Sequence, residues 1–266
     1  MRSPVKTWSW EARSMQFEVS DLLFAGFPKF ALRELDKKYG IEFFYEFGKD
    51  YYWDNEVAAW GKRSLSIHGP CVAINLADKK CKNYAKVFAK TFAYAKEIKA
   101  GFVVVHTNEA WQGEREQVQN LVVRRLRNVV ELAEQYGVKV LIENVGLRPK
   151  ESLLFDLPEF MALLDLFPEA GALLDTGHAH VNGWDIPAVV KELGKRLVAC
   201  HLHDNSGRGD EHLPIAQGSI DWEAYFKAIK KHAPKAVQVL EYCRGFESAA
   251  GLEQHLEDLK EKYNLK

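Results

Sequence analysis

Histidines and acids recur at the ends of successive apolar runs of this sequence, at intervals of 26 to 40 residues. They are His68, His106, Glu143, Asp175 with His178, His201 and Glu241. Carboxylates and imidazoles that converge without a compensating cluster of lysines repel one another, and a divalent cation removes that repulsion. Mixed ligation by histidine, aspartate and glutamate suits zinc, manganese, cobalt or iron. The pattern therefore predicts metal-dependent chemistry.

Four of these residues come from four different runs and are predicted to form one metal cage. They are Glu143, Asp175, His201 and Glu241. Any one of them alone is explained more simply as a hydrogen-bonded core histidine or a solvated surface acid. Four of them at the ends of successive strands are much harder to explain in that way, so we expect them to share an ion.

The stretch CHLHDNSGRGDEH, residues 200–212, carries further candidates. Asp210 and His212 are two residues apart on an extended segment, which places both side chains on one face, where they could bind an ion together with His178. Alternatively, this Asp-x-His pair only forms hydrogen bonds that order the loop. The neighbouring side chains on the opposite strand face or in the turn are interpreted as packing and turn-forming residues: His180, His203, Asp204 and Asn205.

Eight short apolar runs alternate with longer helical patterns. They are QFEVSDLLF (16–24), IEFFYEF (41–47), SLSIHG (64–69), GFVVVHT (101–107), VKVLIEN (138–144), AGALLDTG (170–177), LVACHLH (197–203) and AVQVLEY (236–242). Most are continuous apolar blocks, which is typical of parallel strands buried on both faces. They predict an α/β fold, a single (β/α)8 TIM barrel over residues 1–266, with the active site at the C-terminal ends of the strands.

Helix signals support the same architecture. The segment 21–40 is predicted to hold the first helix, and a long helix should end at Gly137, a residue type that favours helix termination. A later helix should begin at Ser219 or Asp221 as its N-cap. No glycine-rich dinucleotide fingerprint follows the first strand, which argues against an open doubly wound sheet.

Composition limits the partners and the compartment. The formal net charge is -1, so no overall positive field attracts nucleic acid. The four cysteines lack CxxC spacing, which predicts free thiols in a reducing compartment. Neither a signal-peptide apolar region near the first residue nor a bilayer-length apolar stretch is present in the sequence. We therefore expect a cytoplasmic protein without membrane association.

Six short motifs from His68 onward carry a family resemblance. They are HGP (68–70), VVVHTN (103–108), LIENVG (141–146), LLDTGHAH (173–180), HLHDNSGRGDEHLPIAQGSIDW (201–222) and LEYC (240–243). As a set they resemble the xylose-isomerase-like TIM-barrel superfamily. That grouping holds sugar isomerases and epimerases and also the endonuclease IV-type apurinic endonucleases.

The isomerase branch of this superfamily implies one divalent ion, manganese, zinc, cobalt or magnesium, bound by the four cage residues. The ion would chelate two adjacent sugar oxygens and stabilise an ene-diolate. Glu143 and Glu241 would remove and return the proton. The residue matching His178 would contact the substrate, and Arg208 is a candidate for holding a sugar oxygen or a phosphate.

The endonuclease branch implies two or three zinc ions that generate a hydroxide nucleophile and neutralise charge on a phosphodiester. One ion would be bound by His68, His106 and Glu143, the second by the four cage residues, and the third by His178, Asp210 and His212. The sugar-epimerase pattern does not require His68 and His106 as ligands, so their presence favours the endonuclease branch.

Charge at the predicted mouth favours the isomerase branch. A protein that binds a duplex must neutralise several phosphates, yet the predicted mouth loops are poor in lysine and arginine. The basic run VVRRLR (122–127) falls in a helical pattern and is interpreted as a solvated outer face. The number of convergent acids argues against a binding module without enzyme activity.

The sequence therefore favours a metal-dependent sugar or sugar-phosphate isomerase or epimerase, with a zinc phosphodiesterase as the alternative. The expected partner is a small sugar or sugar phosphate, and nucleic acid only in the alternative. Glu46 and Trp111, near the predicted mouth, are candidates for substrate contacts. Assembly into a homo-oligomer is left open.

Overall fold

A computed structural model of the protein describes residues 15–24, 30–46 and 50–265. Its eight strands form one closed barrel in which each strand pairs in parallel with the next along the chain and β1 closes onto β8. The strands are β1 Phe17–Ser20, β2 Gly40–Phe44, β3 Leu65–His68, β4 Val103–Val105, β5 Val140–Glu143, β6 Gly171–Asp175, β7 Leu197–Leu202 and β8 Val237–Leu240. This confirms the predicted (β/α)8 barrel.

Helices connect the strands. They are α1 Phe30–Glu34, α2 Asp50–Trp60, α3 Tyr84–Ile98, α4 Arg115–Tyr136, α5 Leu157–Asp165, α6 Thr176–Val181, α7 Ile186–Leu193, α8 Trp222–His232 and α9 Ala249–Tyr263. Helix α4 ends at Gly137, whose φ of 71° is unstrained only for glycine. Helix α8 begins where predicted, because the Asp221 carboxylate accepts a hydrogen bond from the backbone N–H of Ala224.

Side-chain alternation along the strands points the predicted ligands into the barrel. A small apolar cluster, distinct from the main core, includes Leu141, Leu173, Ala199 and Val239. Each of these four residues lies two positions before a cage residue on the same strand or its extension. Since residues two apart face the same side of a strand, the cage side chains lie inside the barrel, directly above this apolar cluster.

The first βα unit differs from the prediction. The run 16–24 was predicted as one strand, but β1 ends at Ser20 and a 3₁₀ turn, Asp21–Phe24, follows it. Within the described part of segment 21–40, α1 has five residues, and residues 25–29 lie outside the described structure. The strand is shorter because the backbone turns at Asp21, whose carboxylate accepts a hydrogen bond from the backbone N–H of Phe44.

Two further findings concern the thiols and the membrane. All four cysteines are free, with Cys71 and Cys200 buried, Cys81 half-buried and Cys243 exposed. Across residues 15–24, 30–46 and 50–265, no helix combines the length and the apolar character that crossing a bilayer requires.

Candidate metal centre

The cage residues Glu143, Asp175, His201 and Glu241 converge on one buried point. His201 Nδ1 lies 3.7 Å from Glu143 Oε2 and 3.8 Å from Asp175 Oδ2. The same nitrogen lies 3.6 Å from Glu241 Oε2. It is buried and has no hydrogen-bond partner among the described residues. Ligand atoms on a tetrahedral zinc ion are roughly 3.3 Å apart, so these three nitrogen–oxygen separations exceed those around a bound zinc ion by a few tenths of an ångström.

Glu42, in the middle of β2, fixes the orientation of the His201 ring. Its Oε1 lies 2.8 Å from His201 Nε2, and both side chains are fully buried. Because a carboxylate at this distance holds the proton on Nε2, the lone pair of the ring falls on Nδ1, which faces the other three cage residues. A carboxylate that orients a ligating histidine in this way raises the affinity of the histidine for metal.

Asp175 is held in place from several directions. Its Oδ1 accepts a hydrogen bond of 2.6 Å from the backbone N–H of His178 at the start of α6. The His203 Nε2 lies 3.1 Å and 3.0 Å from its two carboxylate oxygens. The side-chain amide of Asn144 bonds to its backbone N–H and C=O. The His203 ring needs the space left by Gly177, because a Cβ there would lie 1.9 Å from His203 Cε1.

The predicted set His178, Asp210 and His212 is also brought together. Asp210 Oδ2 lies 3.3 Å from His178 Nε2 and 3.1 Å from His212 Nε2. His178 Nδ1 donates to the carbonyl of Asn144, and His212 Nδ1 donates to the carbonyl of Glu241. Both rings therefore direct Nε2 at Asp210. His212 has a φ of 46°, a conformation that costs a non-glycine residue on the order of 1 kcal/mol.

The predicted set His68, His106 and Glu143 is brought together as well. His106 Nε2 is 2.9 Å from Glu143 Oε2, and His68 Nε2 is 3.8 Å from the same oxygen. His106 Nδ1 contacts Glu109 Oε1 at 2.5 Å, and His68 Nδ1 donates to the carbonyl of Gly69. Glu143 is thus shared between this pair of histidines and the cage.

Acids and imidazoles lie next to one another in the cluster, and they shift the pKa values of its carboxylates. Burial raises the pKa of Glu241 and outweighs the opposing effect of His201 and His212, and the nearby Asp175 and Glu143 raise it further. Burial also disfavours the ionised form of Glu143, but His106 and His201 outweigh burial and hold its pKa well below the ordinary value. A bound cation would stabilise the ionised carboxylates still further.

The histidines of the cluster differ in their protonation. Burial and the neighbouring His106 lower the pKa of His68 to about 3, so its ring is neutral. Burial lowers the pKa of His106 as well, but Glu143 and Glu109 outweigh burial and raise it to about 10. For His212, Asp210 and Glu241 outweigh burial and raise the pKa to about 9.

A pocket of about 280 Å³ opens onto this cluster. All eight strand ends or the loops after them contribute to its walls. The lining residues are Leu22, Phe44, His68, His106, Asn108, Glu109, Glu143, Val145, Gly146, Leu147, Lys150, Ser152, His178, Asp210, His212 and Glu241. One part of the wall is apolar and the rest carries the candidate ligands, an arrangement typical of a small-molecule site.

Comparison with known proteins identifies the family. The profile of the family described as xylose isomerase-like TIM barrel matches residues 38–262. The chain belongs to this family.

The individual proteins that the chain resembles are distant in sequence. An uncharacterised protein of Methanocaldococcus jannaschii is 28% identical over 188 residues, which cover 63% of this chain and 60% of that protein. Inosose isomerase of Bacillus subtilis is 25% identical over 123 residues, 44% of each chain. A crystal structure of the IolI protein with a bound zinc atom superposes with a TM-score of 0.76 at 20% identity, covering 94% and 99% of the two chains, which shows a shared fold.

Three residues predicted to contact substrate lie away from the pocket wall. Arg208 is exposed and is not among the lining residues. Glu46 is turned toward the loop after β3, where its carboxylate accepts backbone N–H groups of residues 71–73. Trp111 is half-buried against the main core. The prediction placed them from sequence proximity to strand ends, which does not determine the direction of a loop side chain.

Other residues of the site were missed by sequence reasoning. Phe44 lines the pocket and stacks on His68 with ring centroids 4.0 Å apart, and Lys150 lines it from a short 3₁₀ turn. Glu42 was missed because it lies within a strand rather than at its end, although an acid inside an apolar run was a usable signal. The assignment of His203 to the face opposite His201 was wrong, because residues two apart on an extended segment face the same side, and the His203 ring contacts Asp175.

Proposed function

We propose that this protein is a divalent-metal-dependent isomerase or epimerase that acts on a sugar or sugar phosphate. The observation that supports this most strongly is the orphaned His201 Nδ1, which is surrounded by three carboxylate oxygens at 3.6 to 3.8 Å. A nitrogen and three carboxylates suit zinc, manganese or cobalt. Membership of the xylose isomerase-like family and similarity to an inosose isomerase point to the same reaction class. The zinc in the similar IolI structure supports zinc as one suitable ion.

The bound ion would supply electrostatic stabilisation for negative charge that develops on two neighbouring sugar oxygens. Glu143 and Glu241 approach the pocket from β5 and from the end of β8, and both line its wall. In the proposed reaction, one carboxylate removes the proton from the carbon next to the carbonyl and the other returns a proton. His178, whose Nε2 faces the pocket beside Asp210, would hold a substrate hydroxyl.

The charge of the pocket favours a small substrate over nucleic acid. Among the lining residues, Lys150 is the one lysine or arginine, whereas four carboxylates line the same wall: Glu109, Glu143, Asp210 and Glu241. A nucleic acid would bring several phosphates to this wall, and their binding requires several lysines or arginines. A neutral sugar, or a sugar with a single anionic group near Lys150, meets no such penalty.

Solvent exchange tests the proposed reaction directly. The metal-loaded protein would be incubated in deuterium oxide with inosose and with a panel of ketoses that includes tagatose, fructose and ribulose. We expect deuterium to enter the carbon next to the carbonyl of at least one substrate, measured by NMR, only when the divalent ion is present. Failure of every substrate, together with metal-dependent cleavage of abasic DNA, would instead support the endonuclease alternative.

A pair of matched variants assigns the exchange to the cage. Glu241→Gln keeps the size of the side chain but removes its charge and basicity, so we expect exchange to fall by at least about 100-fold. Glu247→Gln makes the same chemical change on an exposed glutamate of the same loop and should exchange like the wild type. Equal exchange rates in the two variants would show that Glu241 takes no part in the mechanism.

A further inference from the structure

The loop after β3 carries a buried thiol beside two of the histidines at the mouth. Cys71 is 6% exposed, and its Sγ donates to Glu46 Oε1 at 3.2 Å. The Cys71 backbone N–H donates to the same oxygen at 2.7 Å, while Ala73 N–H donates to Glu46 Oε2. Glu46 therefore fixes both the loop and the direction of the thiol.

The thiol faces a pair of imidazoles. One donor atom from each of Cys71, His68 and His106 lies within 4.8 Å of the other two. Around a tetrahedral zinc, with ligand bonds of about 2.0 to 2.3 Å, nitrogen and sulfur ligands are roughly 3.3 to 3.8 Å apart. The three donors thus need to approach one another by at most about 1.0 to 1.5 Å to bind an ion. Carboxylates lie close by for a fourth position, since Glu46 contacts the thiol and Glu143 contacts His106.

We propose that Cys71, His68 and His106 form a second metal site with one thiolate ligand, adjacent to the cage. The resemblance to the endonucleases gave His68 and His106 a carboxylate partner but no sulfur ligand, so the thiolate goes beyond what that resemblance implies. A thiolate is a soft ligand, and this determines which ions the site prefers. It selects zinc or cobalt over manganese and magnesium, whereas the three carboxylates of the cage accept harder ions.

Metal binding at this site must displace the thiol proton and also one ring proton of His106, whose pKa of about 10 keeps it protonated in the metal-free protein; the His106 proton is released to solvent. Burial raises the pKa of the Cys71 thiol, and Glu46 raises it further, so the thiol is protonated in the metal-free protein. A divalent ion deprotonates a coordinating thiol outright. The S–H bond breaks as the sulfur–metal bond forms, and the proton passes to Glu46, which already accepts the hydrogen bond from the thiol and exchanges with solvent through its half-exposed side.

Cobalt substitution reports sulfur ligation independently of catalysis. The metal-free protein would be titrated with Co²⁺ and its near-ultraviolet spectrum recorded, because a thiolate ligand gives an intense sulfur-to-cobalt charge-transfer band. Zinc per chain would be measured by elemental analysis after dialysis. We expect the band in the wild type. In Cys71→Ser, we expect the band to be absent and the zinc content to fall by one equivalent per chain.

The choice of variants separates ligation from loop structure. Serine at position 71 can still donate a hydrogen bond to Glu46, so the loop anchor survives while the soft ligand is removed. His106→Asn removes a different ligand and should also abolish the band. Cys81→Ser, a half-buried cysteine outside the cluster, should keep it.

Asp175→Asn distinguishes this site from the proposed isomerase site. It damages the cage, so deuterium exchange should fall, but the charge-transfer band should persist. A wild type without the band, a band that survives in Cys71→Ser, or equal zinc content in both proteins would overturn the thiolate site. Exchange activity that continues in any of these cases would leave the proposed function standing.

Discussion

Glu42 and His201 come from β2 and β7, strands that are not neighbours in the barrel, and their side chains meet at 2.8 Å in its fully buried interior. The contact fixes which nitrogen of His201 faces the other cage residues. It also ends a chain of buried polar groups that begins with Glu18 and passes through Ser66, whose hydroxyl lies 2.5 Å from Glu18 Oε2 and 3.2 Å from Glu42 Oε2.

The Glu42 contact should set the metal affinity of the cage. Glu42→Gln can still accept a hydrogen bond from His201, but it no longer raises the basicity of the ring. We expect the Kd of the cage ion to rise about 10-fold or more, which is the usual effect of losing such an outer carboxylate. Competition with a chromophoric chelator measures it, with Glu247→Gln as the control. An unchanged Kd would show that Glu42 does not act on the metal site.

Glu18 should make stability depend on pH. Burial raises its pKa from 4.5 to about 7, against hydrogen bonds from Ser64 and Ser66 that lower it. Because the folded state holds this proton more tightly than the unfolded chain, the contribution of Glu18 to stability is fully present below about pH 4.5 and is lost as the pH rises through about 7. The full loss is about 3 kcal/mol, from 1.36 kcal/mol per pKa unit.

The variant Glu18→Gln lacks this titration. Relative to the wild type, its free energy of unfolding should therefore improve by about 2.5 kcal/mol between roughly pH 5 and pH 8. Urea denaturation of both metal-free proteins at the two pH values measures the difference, in which the titrations of all other groups cancel. A difference independent of pH would mean that Glu18 is ionised throughout this range.

Gly177 should be intolerant of a side chain. Alanine there would place a Cβ 1.9 Å from His203, so the ring would have to leave its hydrogen bonds with Asp175. We expect Gly177→Ala to lose about 1–3 kcal/mol of stability, the usual cost of overpacking. Gly101→Ala is the control, because its Cβ would meet its nearest neighbour, the Leu65 carbonyl, at an ordinary 3.7 Å. Similar stabilities for the two variants would contradict this account.

Lys150 should select substrates by charge if the proposed function is correct. It lines the pocket, is exposed, and has no ion-pair partner among the described residues. An exposed ion pair contributes up to about 1 kcal/mol, so Lys150→Met should raise KM roughly fivefold for a phosphorylated or acidic sugar and leave neutral sugars unaffected. Steady-state kinetics on a matched sugar and sugar phosphate test this. Equal changes in KM for both substrates would show that the lysine does not discriminate between substrates by their charge.

Much of the site was predictable because of where barrel strands end. His68, Glu143 and Asp175 are the last residues of β3, β5 and β6, and parallel strands in a barrel bring such positions to one mouth. Glu46 and Arg208 were predicted by the same reasoning but lie in loops, where side-chain direction depends on local hydrogen bonds. Glu46 instead binds the backbone of the loop after β3.

By itself, the sequence determined the barrel, the family and the residues that ring its mouth, because strand periodicity and strand-end chemistry are local properties. Only the tertiary structure decided that Glu42 orients His201, that His203 packs against Asp175, and that Cys71 faces His68 and His106. Those contacts join residues from 3 to 159 positions apart along the chain. They depend on closure of the sheet and on the path of each loop, which no local pattern specifies.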